Sequence, residues 1–105
     1  MEEAKFIKIA EGLGWSIYQD EREIELQKYI GSGQDFSFSV KKGFDFYRQV
    51  EDYYNGFDPD EEAMLWVDGN GHGKNGAPYR LRDIIDDMEK VEEELLELLN
   101  ALIEQ

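Results

Sequence analysis

The first part of the chain changes from a helical to an alternating pattern of hydrophobic residues. From Glu2 to Leu13 the apolar residues recur at helical spacing, which predicts an α-helix. Three later runs, at 15–19, 23–30 and 35–40, alternate apolar and polar residues, as strands with one buried face do. Polar or glycine-containing segments separate these runs. The pattern therefore predicts an antiparallel meander with one face on the core and one face in water.

The second half of the chain returns to helical spacing, interrupted by one short apolar run. The helical period reappears from Phe44 to Asn55, and Asp58 followed by Pro59 is typical of an N-cap and a first helical turn. The run 64–67 is almost continuously apolar and is predicted as a fourth strand. Pro78 then opens a terminal helix. We predict one α+β domain, residues 1–105, in the order α-β-β-β-α-β-α, with helices on one face of an antiparallel sheet and a long C-terminal amphipathic helix.

The terminal helix separates hydrophobic from acidic side chains. Its apolar positions are spaced alternately by three and four residues over three heptads, so at 100° per residue they fall on one arc. Glu92 lies inside this arc, and Lys90 is the single base among the acids. Acidic residues occupy the opposite arc, and those proposed to contact a partner are Asp83, Asp86, Asp87, Glu93, Glu94 and Glu97.

The hydrophobic arc is longer than one small sheet can cover. About 26 helical residues would span ~39 Å, whereas a five-residue strand spans only ~17 Å. Either the first two helices cover the C-terminal end of the arc or a second copy of the chain does. A homodimer would use Leu95, Leu98, Leu99 and Leu102 as its interface.

The charge balance limits the classes of partner. The chain has 25 Asp and Glu against 11 Lys and Arg, a formal net charge of −14. Direct nucleic-acid contacts and acidic membrane surfaces both require clustered cations, so neither is expected. No apolar run approaches a membrane span, and no signal-peptide core follows Met1, so we expect a cytoplasmic protein. The 14 aromatic residues argue that the chain folds despite its charge.

The negative charge is concentrated in the C-terminal half. Residues 1–56 carry 11 acids and seven bases (net −4), and residues 57–105 carry 14 acids and four bases (net −10). Carboxylates three or four positions apart on a helix lie about 5–6 Å from each other, similar to successive phosphates on a strand. The acidic arc could therefore imitate nucleic acid and occupy a basic groove of another protein.

Residues that could support catalysis or cofactor binding are scarce. Cysteine is absent and His72 is the single histidine, which excludes disulfides, thiolate chemistry, most zinc sites and most catalytic triads. The glycine-rich segment Asp68 to Ala77 departs from the phosphate-binding loop and has Tyr79 where a calcium loop needs glutamate. We expect this segment to connect two elements or to act as a mobile contact loop. The acids at 58–62 are favoured by a helix start without any metal, and we predict no enzyme activity, cofactor or metal.

The block from Phe57 to Pro78 shows a resemblance to known proteins. Phe57-Asp58-Pro59-Asp60-Glu61-Glu62, Leu65-Trp66 and Gly76-Ala77-Pro78, followed by the acidic leucine-rich helix, resemble small acidic proteins of Firmicutes and their phages and mobile elements. The turn Ser32-Gly33-Gln34-Asp35 fits the same pattern, so the likeness covers about two thirds of the chain from Glu23 onward. These are turn and cap motifs, and the resemblance transfers no functional residue. It implies a setting in which small acidic proteins inhibit host defence nucleases.

Three functional hypotheses follow. The first is a non-enzymatic interaction protein that imitates nucleic acid and inhibits a restriction or CRISPR enzyme through a basic surface. The second is a homo-oligomeric structural or interaction protein whose acidity serves only solubility. The third is a small metal-dependent enzyme, which the residue composition favours least.

Overall fold

A computed structural model describes residues 1–30, 34–71 and 80–104. Within this part of the chain the fold is α+β, and the elements follow the order α-β-β-β-α-α-α. The helices are α1 (Glu3–Gly12), α2 (Phe46–Asn55), α3 (Pro59–Asn70) and α4 (Leu81–Ile103), and the strands are β1 (Ser16–Gln19), β2 (Glu23–Ile30) and β3 (Gln34–Lys41).

The three strands form the predicted antiparallel meander, in the order β1-β2-β3. Ile17 of β1 lies opposite Leu26 of β2, which lies opposite Phe38 of β3. Because side chains alternate between the two faces, this register places the apolar residues of all three strands on one face. The residues between them, such as Ser37 and Ser39, are exposed on the other face. The prediction of one buried and one open face is confirmed.

Helices α2 and α3 begin at conventional caps. The Asp45 carboxylate accepts a hydrogen bond from the backbone N–H of Arg48, and the Asp58 carboxylate accepts from the N–H groups of Asp60 and Glu61. These bonds satisfy donors that a helix start otherwise leaves unpaired. Pro59 occupies the first turn of α3, where its fixed φ suits the helix.

The predicted fourth strand is wrong, because the run 64–67 lies in the middle of α3. Burial along this helix follows a helical spacing: Ala63 is buried and Trp66 is half-buried, whereas Met64 and Leu65 are 48% and 56% exposed. The capped start at Asp58 therefore propagates through the apolar run. The helix also includes positions 68–70, which the sequence had assigned to the glycine-rich loop.

The core lies between the inner face of the sheet and the helices. Phe6 of α1 stacks on Phe46 of α2, with ring centroids 4.8 Å apart, and Tyr53 of α2 stacks on Phe38 of β3 at 4.7 Å. Trp15, just before β1, makes an edge contact with the same Phe38 ring. Aromatic pairs of this kind add to the free energy gained by burying apolar area. They join α1, α2 and the sheet in one hydrophobic cluster.

Candidate functional site: the outer face of the terminal helix

Helix α4 packs four of its leucines inside the monomer. Leu95 and Leu98 are completely buried, and Leu99 and Leu102 are 7% and 4% exposed. Side chains of the same chain therefore cover the C-terminal half of the helix. The prediction that these four leucines form an oligomer interface is corrected, since they are already part of the hydrophobic core.

The buried arc of α4 is centred differently from the arc defined by its apolar residues. Leu96 and Ile103 are 40% and 57% exposed, whereas Asp87 is 1% exposed. These exposures correspond to a rotation of the helix by about 40° relative to the apolar arc, at 3.6 residues per turn. The assignment of Asp87 to the acidic outer face is therefore wrong, and this carboxylate is not accessible to a partner.

Glu94 has a partner within the protein. Lys28 lies on the inner face of β2, in phase with the buried residues of that strand, and its Nζ contacts Glu94 Oε2 at 2.5 Å. The same Nζ donates to the Leu13 carbonyl oxygen at 2.7 Å and lies 5.2 Å from the centre of the Trp15 ring. Glu94 thus balances a half-buried cation at the end of α1, which is a structural role.

The backbone near Lys28 also depends on a glycine. Gly14, between α1 and β1, has φ +95°, a conformation that is unfavourable for residues with a Cβ. A Cβ at this position would lie 3.4 Å from Lys28 Cε. The turn and the ammonium group are therefore packed together.

The remaining acidic residues form a continuous row on the outside of α4. Asp86, Glu89, Glu93 and Glu97 are all exposed and follow one another at intervals of three or four residues. We name these four residues the acidic ridge. It spans about 16 Å along the helix at 1.5 Å per residue. Asp83 is half-buried at its flank, and Glu89 is a member that the sequence did not single out.

The ridge carboxylates make no ion pair with any residue that the structure describes. Lys90 and Arg82 are exposed on the same helix but do not bridge to them. Like charges four residues apart destabilise a helix by a few tenths of a kcal/mol per pair. The row is therefore an uncompensated negative surface on a rigid support.

The described residues offer little for other chemistry. Over 1–30, 34–71 and 80–104, no three side chains of the ligand types His, Asp and Glu are placed to hold a metal ion. The same ranges contain no helix with the length and hydrophobicity to cross a membrane. His72 and most of the glycine-rich segment, including Gly73 and Gly76, lie outside the described residues.

A second surface feature, which the sequence did not reveal, is a crevice of about 290 Å³ beside β3. Tyr53, Leu65 and Trp66 contribute apolar area, and Glu62 contributes a carboxylate. Burial raises the pKa of the Tyr53 phenol to about 12, and the negative charge of Glu62 adds to this effect. Burial also raises the pKa of the Glu62 carboxyl, with smaller contributions from neighbouring acids on α3.

Comparison with known proteins adds no assignment to this geometry. No family model matches the sequence, and neither a curated protein nor a solved structure matches the chain.

Proposed function

We propose that this chain is a non-enzymatic interaction protein whose acidic ridge imitates a nucleic-acid strand. Its partner would be a protein with a Lys- and Arg-lined groove, such as the nucleic-acid-binding surface of a restriction or CRISPR enzyme. The observation that carries the proposal is the row of four exposed carboxylates without ion-pair partners. A net charge away from zero favours solubility, but solubility does not require that the charge be aligned on one helix face.

The position of the charges along α4 supports this interpretation. A helix is stabilised by acids near its N-terminus and by bases near its C-terminus. In α4, Arg80 and Arg82 lie at the N-terminal end together with Asp83, and the last turn contains no base. The acidic ridge lies in the interior of the helix, where the dipole does not favour its charges, and Glu89, Glu93 and Glu97 repel one another at intervals of four residues. Residues that reduce stability in this way are expected where binding needs them.

The rigidity of the ridge is the second support. The opposite side of α4 is fixed in the core by Ile84, Val91, Leu95 and Leu98, which are all completely buried. Ordering the ridge on binding therefore requires only the immobilisation of side chains, which limits the entropic cost. Complementary charge would also accelerate the encounter with a basic groove at low salt.

The test compares two triple charge reversals with the same change in net charge. In the ridge variant Asp86, Glu93 and Glu97 become Lys; in the control variant the exposed Glu11, Glu21 and Glu61 become Lys. Asp87 and Glu94 stay unchanged because both are needed by the fold. The assay measures inhibition of DNA cleavage by a panel of purified restriction nucleases and CRISPR effectors.

We expect the wild type and the control variant to inhibit at least one enzyme, and the ridge variant to lose that inhibition at least 100-fold. Added double-stranded DNA should compete with the inhibitor. Equal inhibition by the ridge variant, or inhibition that DNA does not compete with, would exclude the mimicry mechanism. Absence of inhibition throughout the panel would count against this class of partner.

The homo-oligomer alternative has lost its proposed interface. The four leucines assigned to it are buried in the monomer, and the exposed apolar residues of α4, Leu96 and Ile103, lie beside the acidic ridge. A self-association through this side would bring two acidic surfaces together. Sedimentation velocity at 0.1 and 1 M NaCl would detect such a dimer, which should form only at high salt.

A further inference from the structure

The outer edge of β3 has unused backbone hydrogen-bonding groups. The side chain of Gln49 accepts from the Lys41 N–H at 2.7 Å and donates to the Lys41 carbonyl oxygen at 2.9 Å. The next residue, Lys42, instead donates its N–H to Arg22 at the start of β2. The peptide groups of Lys41 therefore point away from the sheet, and those of Lys42 point towards it.

This alternation fixes the direction of the remaining peptide groups. In an antiparallel strand the N–H and C=O of every second residue face the same neighbour. Asp35, Ser37 and Ser39 share the phase of Lys41, so their N–H and C=O groups face the outer edge. None of them makes a hydrogen bond there with another described residue. Gln49 thus closes one end of the edge, and about five residues stay open.

The surroundings of the open edge define the chemistry of an occupant. The crevice formed by Phe36, Tyr53, Leu65 and Trp66 adjoins this part of β3, on the side that faces the helices. The Asp35 carboxylate is exposed on the opposite face of the sheet, and Glu62 lies at the crevice. An added strand would place alternate side chains on these two sides.

We propose that the β3 edge binds an extended peptide segment of a partner protein, with apolar side chains towards the crevice and basic side chains on the opposite face, towards the Asp35 carboxylate. The peptide would add a fourth strand by pairing with Asp35, Ser37 and Ser39, a recognised mode of peptide binding.

A second copy of the chain is a poorer occupant than a basic peptide. Each copy has a net charge of −14, so the pairing of two copies through this edge is opposed by repulsion between them. The β1 edge is a poorer site as well, because β1 has only four residues and short edge strands resist pairing. The site does not depend on the acidic ridge.

The probe is a blocked octapeptide of alternating valine and lysine. Two control peptides have glutamate in place of lysine, or methyl groups on the backbone amides of alternate residues. Binding is followed by amide hydrogen exchange and by NMR titration of the ¹⁵N-labelled full chain. We expect protection of the Ser37 and Ser39 amides in the complex, at least tenfold above the free protein, and no protection from the two control peptides.

The following variants test the geometry. Ser37→Pro removes an N–H that faces the open edge, a position where a strand tolerates proline, and should reduce affinity at least tenfold. Ser37→Ala leaves the backbone intact and should change affinity less than twofold. The ridge variant should bind the peptide like the wild type. Asp35→Asn should weaken binding about threefold, as the loss of an exposed ion pair does.

Several results would overturn the proposal. They are absence of peptide binding, equal binding of the N-methylated peptide, unchanged affinity of Ser37→Pro, and protection of the Ile17 and Gln19 amides on the β1 edge instead. Protection of Ser37 and Ser39 that rises with the concentration of the free protein would assign the edge to a second copy. These outcomes can be judged whether or not the ridge variant loses nuclease inhibition, because the acidic ridge and the β3 edge are separate surfaces.

Discussion

The contact between Lys28 and Glu94 should contribute to stability, although the sequence pattern assigns Glu94 to the acidic arc of the terminal helix. The side chains are 14% and 34% exposed, so the pair is neither a surface pair nor fully buried. Replacing Lys28 with Met retains the packing of the stem but removes the ammonium group. Replacing Glu94 with Gln keeps an oxygen acceptor and removes the charge.

The expected magnitude lies between two limits. Exposed pairs contribute ~0.2–1 kcal/mol, and removing one member of a fully buried pair costs about 3–5 kcal/mol. At the observed exposure we expect a coupling energy of about 1–2 kcal/mol. Lys28→Met also removes the hydrogen bond to the Leu13 carbonyl and the contact with Trp15, worth roughly 1 and 0.5 kcal/mol. Its total cost should therefore be about 2.5–3.5 kcal/mol.

The measurement is urea unfolding of the wild type, the two single variants and the double variant, which together form a double-mutant cycle. Glu93→Gln is the matched control, since Glu93 is adjacent in sequence but belongs to the exposed ridge. We expect the control to change the free energy of unfolding by less than ~0.5 kcal/mol. A coupling energy below about 0.3 kcal/mol, or a control as destabilised as Glu94→Gln, would refute the structural role assigned to Glu94.

Three further predictions use other parts of the fold. Asp87→Lys should destabilise the protein by about 3 kcal/mol or more, because it forces a cation into a site with 1% exposure. The same change at the exposed Asp86 should be nearly neutral. Equal thermal stability of the two variants would contradict the burial of Asp87. The Tyr53 phenol should titrate near pH 12 rather than 10 when followed by absorbance. Because the phenol of the unfolded chain ionises first, the free energy of unfolding should fall as the pH rises from 10 to 12. Tyr53→Phe should remove that part of the fall. Gly14→Ala and Gly43→Ala should each cost about 1–2 kcal/mol in chemical unfolding, because both glycines have a positive φ (+95° and +87°) and a Cβ at position 14 would make only ordinary contact with Lys28; a cost near zero at either position would contradict the positive φ.

The local signals in the sequence predicted most of the element boundaries. Alternation alone identified β2 as residues 23–30, and the cap pair Asp58 and Pro59 marked the first turn of α3. The error came at the run 64–67, because a short continuous apolar run is compatible with either a strand or a helix. Its helical phase becomes visible only through tertiary burial, with Ala63 inside and Leu65 outside.

The exact orientation of α4 was beyond the sequence for a related reason. The heptad pattern predicted a helix with one apolar side. Whether a residue at the edge of that side is buried or exposed depends on the neighbouring elements. Asp87 is buried and Leu96 is exposed, the reverse of their polarity. Glu94 pairs with Lys28, which lies on the inner face of β2. The two residues are 66 positions apart in the sequence, so no local pattern predicts their contact.

The distinction between structural and available carboxylates determines how the acidity of the chain can act. Of the six acids predicted to contact a partner, Asp87 is buried, Glu94 is paired, and Asp83 is half-buried, so Asp86, Glu93 and Glu97 carry the accessible charge, together with Glu89. The affinity of a partner held by this ridge would fall steeply with salt, since screening weakens the ion pairs between exposed charges. A peptide at the β3 edge would lose less affinity, because backbone hydrogen bonds and apolar contacts contribute there. The dependence of affinity on salt concentration therefore identifies the surface that a captured partner uses.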